Sequence, residues 1–245
     1  LPIQDVRITT PDGETLQAWF EPPQKGKPVI LFLHGQGGTL YMGRYRYRRM
    51  HDHGVGYLAL AYRGYSLSTG KPTEKGLFTD GLAAYDWLRA QGFRDHDIVL
   101  HGHSLGTGVA TYIATQRPAR ALILEAPFTA ATDVGQERYP YMPVSFLMKD
   151  KFLNRERIKD VHMPLLIVHG DHDSVIPFAE GQALYGRAPE PKTFVTMSGS
   201  NHNTLTRDGV YAEYWRFLGI PLTEKDSAAD GDATVLKSHV LAEKP

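Results

Sequence analysis

Five short, nearly continuous apolar runs set the tightest limit on how this chain can fold: Val29-Ile30-Leu31-Phe32-Leu33, Tyr57-Leu58-Ala59-Leu60, Ile98-Val99-Leu100, Leu122-Ile123-Leu124 and Leu165-Leu166-Ile167-Val168. A strand with one wet face alternates apolar and polar residues. Runs without alternation predict strands covered on both faces, as in a parallel sheet. Helix-length segments separate them. Gly76 to Gln91 sets Leu77, Leu82, Ala84, Tyr85 and Leu88 at near-helical spacing, and Ser104 to Gln116 continues through Leu105, Val109, Tyr112 and Ile113, with Pro118 just beyond its end. Strand–helix alternation of this kind implies an α/β architecture with a doubly wound, mostly parallel sheet.

Other segments depart from that rhythm. Val6-Arg7-Ile8-Thr9 and Leu16-Gln17-Ala18-Trp19-Phe20 alternate around Pro11-Asp12-Gly13, which predicts an N-terminal antiparallel hairpin. Residues 129–163, with Tyr139-Pro140-Tyr141-Met142-Pro143, are too long for a plain connection and read as a short cap insertion. The stretch 223–245 turns polar (Glu224-Lys225-Asp226-Ser227, Asp230-Gly231-Asp232) and reads as a weakly ordered tail, leaving one domain over 1–222.

Composition narrows the function classes. Twenty-seven basic residues balance 27 acidic ones, so no electrostatic case for nucleic acid arises and no nucleic-acid partner is expected. The absence of cysteine excludes disulfides, thiolate catalysis and Cys-based zinc sites. No apolar run approaches the ~18 residues that span a bilayer, and the start lacks a signal-peptide pattern. Membrane association is therefore expected only through a segment upstream of Leu1. The compartment stays open: cytoplasmic, periplasmic or membrane-anchored.

The chemistry concentrates where strand Ile98-Val99-Leu100 runs into His101-Gly102-His103-Ser104-Leu105-Gly106 and straight into a helix. Gly-x-Ser-x-Gly at a strand-to-helix turn exposes a strained serine, and side chains at the two glycine positions would collide with the neighbouring strand and helix. Ser104 is the expected nucleophile, and the Leu105 N–H, at the helix N-terminus, an oxyanion donor. A hydroxyl needs a base and the base an orienting acid, which follow the serine in the order acid, histidine. Asp171 and Asp173 both lie beyond the strand at Leu165–Val168. Asp173 is favoured, because Asp171 is better placed to tie the turn through backbone hydrogen bonds. Only His202 and His239 lie beyond Asp173. His202 follows the candidate strand Thr193–Met197 and is the expected base, whereas His239 sits in the polar tail.

His34-Gly35-Gln36-Gly37-Gly38 follows the first parallel strand, so a backbone N–H at Gln36 is expected as the second oxyanion donor. In the cap, Tyr139, Tyr141, Met142, Val144 and Phe146 are candidates to line an acyl pocket, the alternative being that they pack the cap onto the sheet. His51-x-His53, His101-x-His103 and His169/Asp171/His172 look like ligand sets but are accounted for by strand ends and turns, so no metal or cofactor is expected. Arg44-Tyr45-Arg46-Tyr47-Arg48-Arg49 reads as a solvated helix face with tyrosines packed inward. The alternative is a patch for anionic lipid or an acidic substrate group.

Taken in order, His34-Gly35-Gln36-Gly37-Gly38, Tyr62-Arg63-Gly64-Tyr65-Ser66, Gly102-His103-Ser104-Leu105-Gly106, Glu125-Ala126-Pro127-Phe128, His169-Gly170-Asp171-His172-Asp173 and Asn201-His202-Asn203 resemble the small α/β-hydrolase-domain serine hydrolases, near the serine-aminopeptidase-like branch. The resemblance covers roughly residues 5–220. It implies the α/β-hydrolase fold, the triad Ser104, Asp173 and His202, and Gln36 and Leu105 as oxyanion donors. Members of this branch resemble carboxylesterases, some eukaryotic relatives depalmitoylate proteins, and many carry an N-terminal hydrophobic anchor. Ser66 departs from the glycine usual after Arg-Gly-Tyr. The expected activity is hydrolysis of esters or thioesters of short to medium acyl chains, acting on a small-molecule or acylated substrate. Two alternatives remain: an aminopeptidase, with Glu137, Asp150 or Glu156 holding the substrate amine, and a non-catalytic binding protein on a hydrolase scaffold.

Overall fold

The hairpin forms where the alternation places it. The computed structural model describes residues 2–138, 141, 147–223, 226 and 233–237, with 137–138 and 233–237 as backbone only. Strands β1 (Gln4–Thr9) and β2 (Thr15–Glu21) pair antiparallel, Gln4 opposite Phe20. The apolar runs become β3 (Val29–Leu33), β4 (Gly56–Leu60), β5 (Ile98–His103), β6 (Ala121–Glu125) and β7 (Leu165–Gly170), followed by β8 (Lys192–Met197). These six lie parallel in the order β4-β3-β5-β6-β7-β8, and β2 joins them antiparallel at β4. Strand β9 (Ala233–Lys237), within the segment read as a tail, pairs antiparallel with β8 at the far edge. The tail's first turn is tied down as well: buried Asp226 accepts the Thr223 N–H at 2.8 Å and meets His53 Nε2 at 2.7 Å.

Every residue of β3, β4 and β6 is buried, which is why these runs show no alternation. Successive side chains still point to opposite faces. Leu31, Leu33, Leu58 and Leu60 enter one core, and Ile30, Phe32, Tyr57 and Ala59 the other. The helices are α1 (Arg44–Asp52), α2 (Glu74–Ala90), α3 (Leu105–Gln116), α4 (Ala131–Arg138), α5 (Asn154–Arg157), α6 (Phe178–Arg187) and α7 (Val210–Leu218). Helices α2, α3 and α6 cover the first face through Leu77, Leu88, Val109, Ile113 and Leu184. Helices α1 and α7 cover the second through Tyr47, Met50, Tyr214 and Trp215.

The chain moves from β3 to β4 on one side, then crosses to β5 on the other side of β3. That reversal makes the carboxyl ends of β3 and β5 the topological switch point, the usual ligand edge of such a sheet. The insertion after β6 supplies α4 and α5. Phe152, at φ +44°, is buried against α3, where a Cβ on Gly108 would come within 2.7 Å of its ring. Asn154 Nδ2 donates to the Phe128 carbonyl at 3.1 Å, and Arg155 pairs with Asp133 on α4.

Candidate active site

The site is built from loops at the carboxyl ends of β3, β5, β7 and β8. Ser104 separates β5 from α3 at φ +53°, ψ −121°, a backbone conformation that L-residues rarely hold. The two glycines of the motif are what permit it. A Cβ on Gly102 would stand 2.4 Å from the Gly106 carbonyl oxygen, and one on Gly106 would stand 2.0 Å from that of Leu33. The Ser104 N–H donates to the Glu125 carbonyl at 2.9 Å, and its own carbonyl accepts from Thr107 Oγ1 at 2.6 Å.

His202 reaches this serine. Its Nε2 lies 2.9 Å from Ser104 Oγ and its Nδ1 2.7 Å from Asp173 Oδ2. With the proton on Nδ1, donated to Asp173, Nε2 is left to accept from the serine hydroxyl. Asp173 Oδ1 accepts the Val175 and Ile176 N–H groups, each at 2.8 Å. Burial alone would raise the Asp173 pKa. Hydrogen bonds from His169, His202 and the Ile176 N–H outweigh it and hold the carboxyl well below the usual range. Asp171 instead accepts the Gly199 N–H at 2.7 Å, tying the β7 loop to the loop that carries His202. Asn201 Oδ1 takes the His202 N–H at 2.6 Å and the Ser174 hydroxyl at 3.1 Å, joining the same two loops.

The loop after β3 lies against the serine. A Cβ on Gly35 would be 3.1 Å from Ser104 Cβ. The Gly38 N–H donates to Gly35 O at 3.2 Å and Gly37 sits at φ +70°, which turns the chain at exposed Gln36 in type II fashion. Leu105 opens α3, so its N–H has no acceptor within the helix. Of the cap residues expected to line a pocket, Tyr139, Met142, Val144 and Phe146 lie outside the described residues, and Tyr141 is fully exposed.

Several histidines go to partners within the fold. His101 Nε2 lies 3.2 Å from Glu125, His53 meets Asp226, and His51 meets Glu21. His169 Nε2 lies 3.0 Å from the Ile176 carbonyl and 3.3 Å from Asp173 Oδ2, a supporting contact not anticipated from the sequence. The arginine–tyrosine cluster also differs from its sequence reading. Tyr47 is buried, but Tyr45 is 66% exposed and Arg46 turns inward, bidentate to fully buried Glu125 at 2.6 and 2.7 Å. Because α1 lies flat on the sheet, its inward stripe takes one arginine with one tyrosine. Ser66 sits at φ +49°, the conformation for which glycine is the cheaper residue.

Residues 50–219 match the prolyl oligopeptidase family. The chain belongs to that family. It is an α/β hydrolase, and the known proteins it is similar to bear this out. An uncharacterized protein of Mycobacterium tuberculosis is 37% identical over 203 residues, 82% of this chain and 72% of that protein. Lysophosphatidylserine lipase ABHD12 of Gallus gallus is 34% identical over 238 residues, 84% of this chain and 62% of the relative, so the chain spans less than two thirds of that lipase. Among solved structures, an esterase of Pyrococcus furiosus superposes with a TM-score of 0.71 at 21% identity, over 89% of this chain and 90% of that one. Est1E of Butyrivibrio proteoclasticus, solved with ferulic acid, superposes at 0.73 and 21% identity, over 88% and 98%. The structural likenesses speak to fold alone. Among the described residues no helix is long and apolar enough to cross a membrane.

Proposed function

We propose that the chain is a serine hydrolase that cleaves carboxylic esters or thioesters through an acyl-enzyme. The observation that carries this reading is the unbroken line from Ser104 Oγ through His202 to Asp173, at 2.9 and 2.7 Å, ending on a carboxylate held ionised. Ser104 attacks the acyl carbonyl while its proton passes to His202 Nε2, and Asp173 fixes the ring's tautomer and balances the imidazolium. The tetrahedral oxyanion meets the backbone N–H groups of Gln36 and Leu105. The imidazolium then returns the proton to the leaving alcohol or thiol. Water, deprotonated by His202, releases the acid in a second round. The short cap favours short to medium acyl chains, and the likeness to a lysophosphatidylserine lipase supports ester hydrolysis as the reaction.

The test is fluorophosphonate labelling with peptide mapping, on wild type and Ser104→Ala. A single adduct at Ser104, absent from the variant, is expected. An adduct elsewhere, or labelling that survives the substitution, would overturn the assignment. Profiling p-nitrophenyl esters then reads chain length, and preference for long chains would refute the acyl range. Peptide hydrolysis is the second reading, favoured by the family match. Aminopeptidase action needs a carboxylate for the substrate amine: Asp150 is spent accepting the Glu74 N–H at 2.8 Å, Glu156 is exposed, and the side chain of Glu137 lies outside those described. Cleavage of aminoacyl anilides faster than of esters would favour it.

A further inference from the structure

A second buried carboxylate stands behind the Ser104 elbow. Glu125, the last residue of β6, takes both guanidinium nitrogens of Arg46, accepts the Tyr214 hydroxyl at 2.7 Å and lies 3.2 Å from His101 Nε2. Its backbone carbonyl receives the Ser104 N–H. Its Oε1 is 4.0 Å from His103 Nε2, a buried nitrogen with no hydrogen-bond partner. The His103 ring lies 5.2 Å from that of His202, tilted by 38°. Arg46, Glu125, His103 and His202 thus form a contiguous column from α1 to the base. Removing two charges from water is expensive, and a buried pair of this kind need not stabilise the fold.

Resting on the triad reading above, we infer that Glu125 is a positioning residue for His202: acting through His103, its carboxylate stabilises the imidazolium that forms when Ser104 gives up its proton. Geometry supplies the direction, because the carboxylate, and not the guanidinium, is the charge that approaches His103. Burial drives His103 down to about 3, and Glu125 opposes that shift more strongly than Arg46 adds to it. The ion pair therefore presents its negative end to the active-site side. The groups facing Glu125 include Arg46 on α1, His101 and His103 on β5, and Tyr211 and Tyr214 on α7. Those facing His202 are Asp173, His103 and Ser104. The carboxylate further along the same loop, Asp208, is engaged by Ser200 and Thr204.

The experiment is the rate of Ser104 phosphonylation by a fluorophosphonate against pH, in wild type, Glu125→Gln, Arg46→Met and Ser104→Ala. Glu125→Gln removes the negative charge and leaves Arg46, so the midpoint of the acid limb falls by about 0.5–1 pH unit. Arg46→Met leaves the carboxylate uncompensated, and the midpoint rises. A purely structural role would lower rates in both variants without moving the midpoints apart. Unmoved midpoints in folded variants that still label at Ser104 overturn the inference and leave the nucleophile assignment standing. Labelling that persists in Ser104→Ala overturns that assignment instead. Should the single variants not fold, the double variant Glu125→Gln/Arg46→Met leaves no unpaired buried charge. Its midpoint is expected below wild type, and an equal midpoint sinks the inference.

Discussion

Ser104 keeps its strained backbone because its N–H is held by Glu125 and its carbonyl by Thr107, so relaxation would break bonds on both sides. Asp173 is divided in the same way: one oxygen accepts two backbone N–H groups and the other faces His202, with His169 beside it. Asp173→Asn preserves the shape but allows the wrong imidazole tautomer. Ester turnover is expected to fall by about 10⁴-fold with the fold intact, and steady-state kinetics alongside circular dichroism would check both halves. Ser66 offers a prediction of opposite sign. Its φ of +49° penalises any side chain, so Ser66→Gly is expected to stabilise the protein by about 0.5–1 kcal/mol net of glycine's added chain entropy. A lower urea midpoint for that variant would contradict the strain argument.

Among the elements, the contact between β5, α3 and β3 leaves little slack. Helix α3 starts so close to β3 that a methyl group at position 106 would overlap the Leu33 carbonyl at 2.0 Å. Backbone cannot yield there as a flexible side chain could. Gly106→Ala is expected to cost at least about 2–3 kcal/mol, measurable as loss of soluble protein or a sharply reduced denaturation midpoint. The cap is pinned to the same helix by buried Phe152, beside Gly108 and the Phe78 ring at 5.6 Å. Phe152→Ala is expected to cost about 3–5 kcal/mol. Wild-type stability in that variant, read by thermal unfolding, would show that the cap stands independently of α3.

For the molecule as a whole, the carboxylates held below their ordinary range govern behaviour in acid. Asp173 is held down in the fold, so it binds fewer protons there than in the unfolded chain. Its contribution is fully present above the unfolded value of about 3.9 and is lost as pH falls through the lower folded value. Asp12, hydrogen-bonded by Arg63 and Thr10, acts in the same direction. Buried His34, His101 and His103, whose protonation burial disfavours, act earlier: the unfolded chain takes up their protons first, so unfolding free energy is expected to decline already as pH falls through about 6.5 and to drop further below about 4. Asp173→Asn should show a shallower drop over that acid range, and denaturant titrations at several pH values would reveal an equal slope if the argument fails.

The parallel part of the sheet was readable from residue order alone, because strands buried on both faces are written as unbroken apolar runs with helical periodicity between them, whereas edge strand β9 lay hidden in the stretch read as a polar tail. The elbow was readable for a similar reason: only glycine fits positions 102 and 106, and a serine between them on a strand-to-helix turn has few other uses. The contacts that bring Asp173 and His202 to Ser104 agree with the chain order expected of such a site, and the Asp171 bond to the Gly199 N–H agrees with its reading as a turn residue. What stayed hidden depended on contacts between residues far apart in the chain. Arg46 looks solvated within a run of arginines until Glu125, 79 residues later, arrives beneath it. Tail residue Asp226 finds His53 across 173 residues, and His169 supports Asp173 only once the β7 loop has turned back on itself. Local pattern records which surfaces must be buried and which turns are sterically allowed. The partner of a buried charge is decided by packing, because desolvation forces each such group onto whatever complementary group the fold brings within reach.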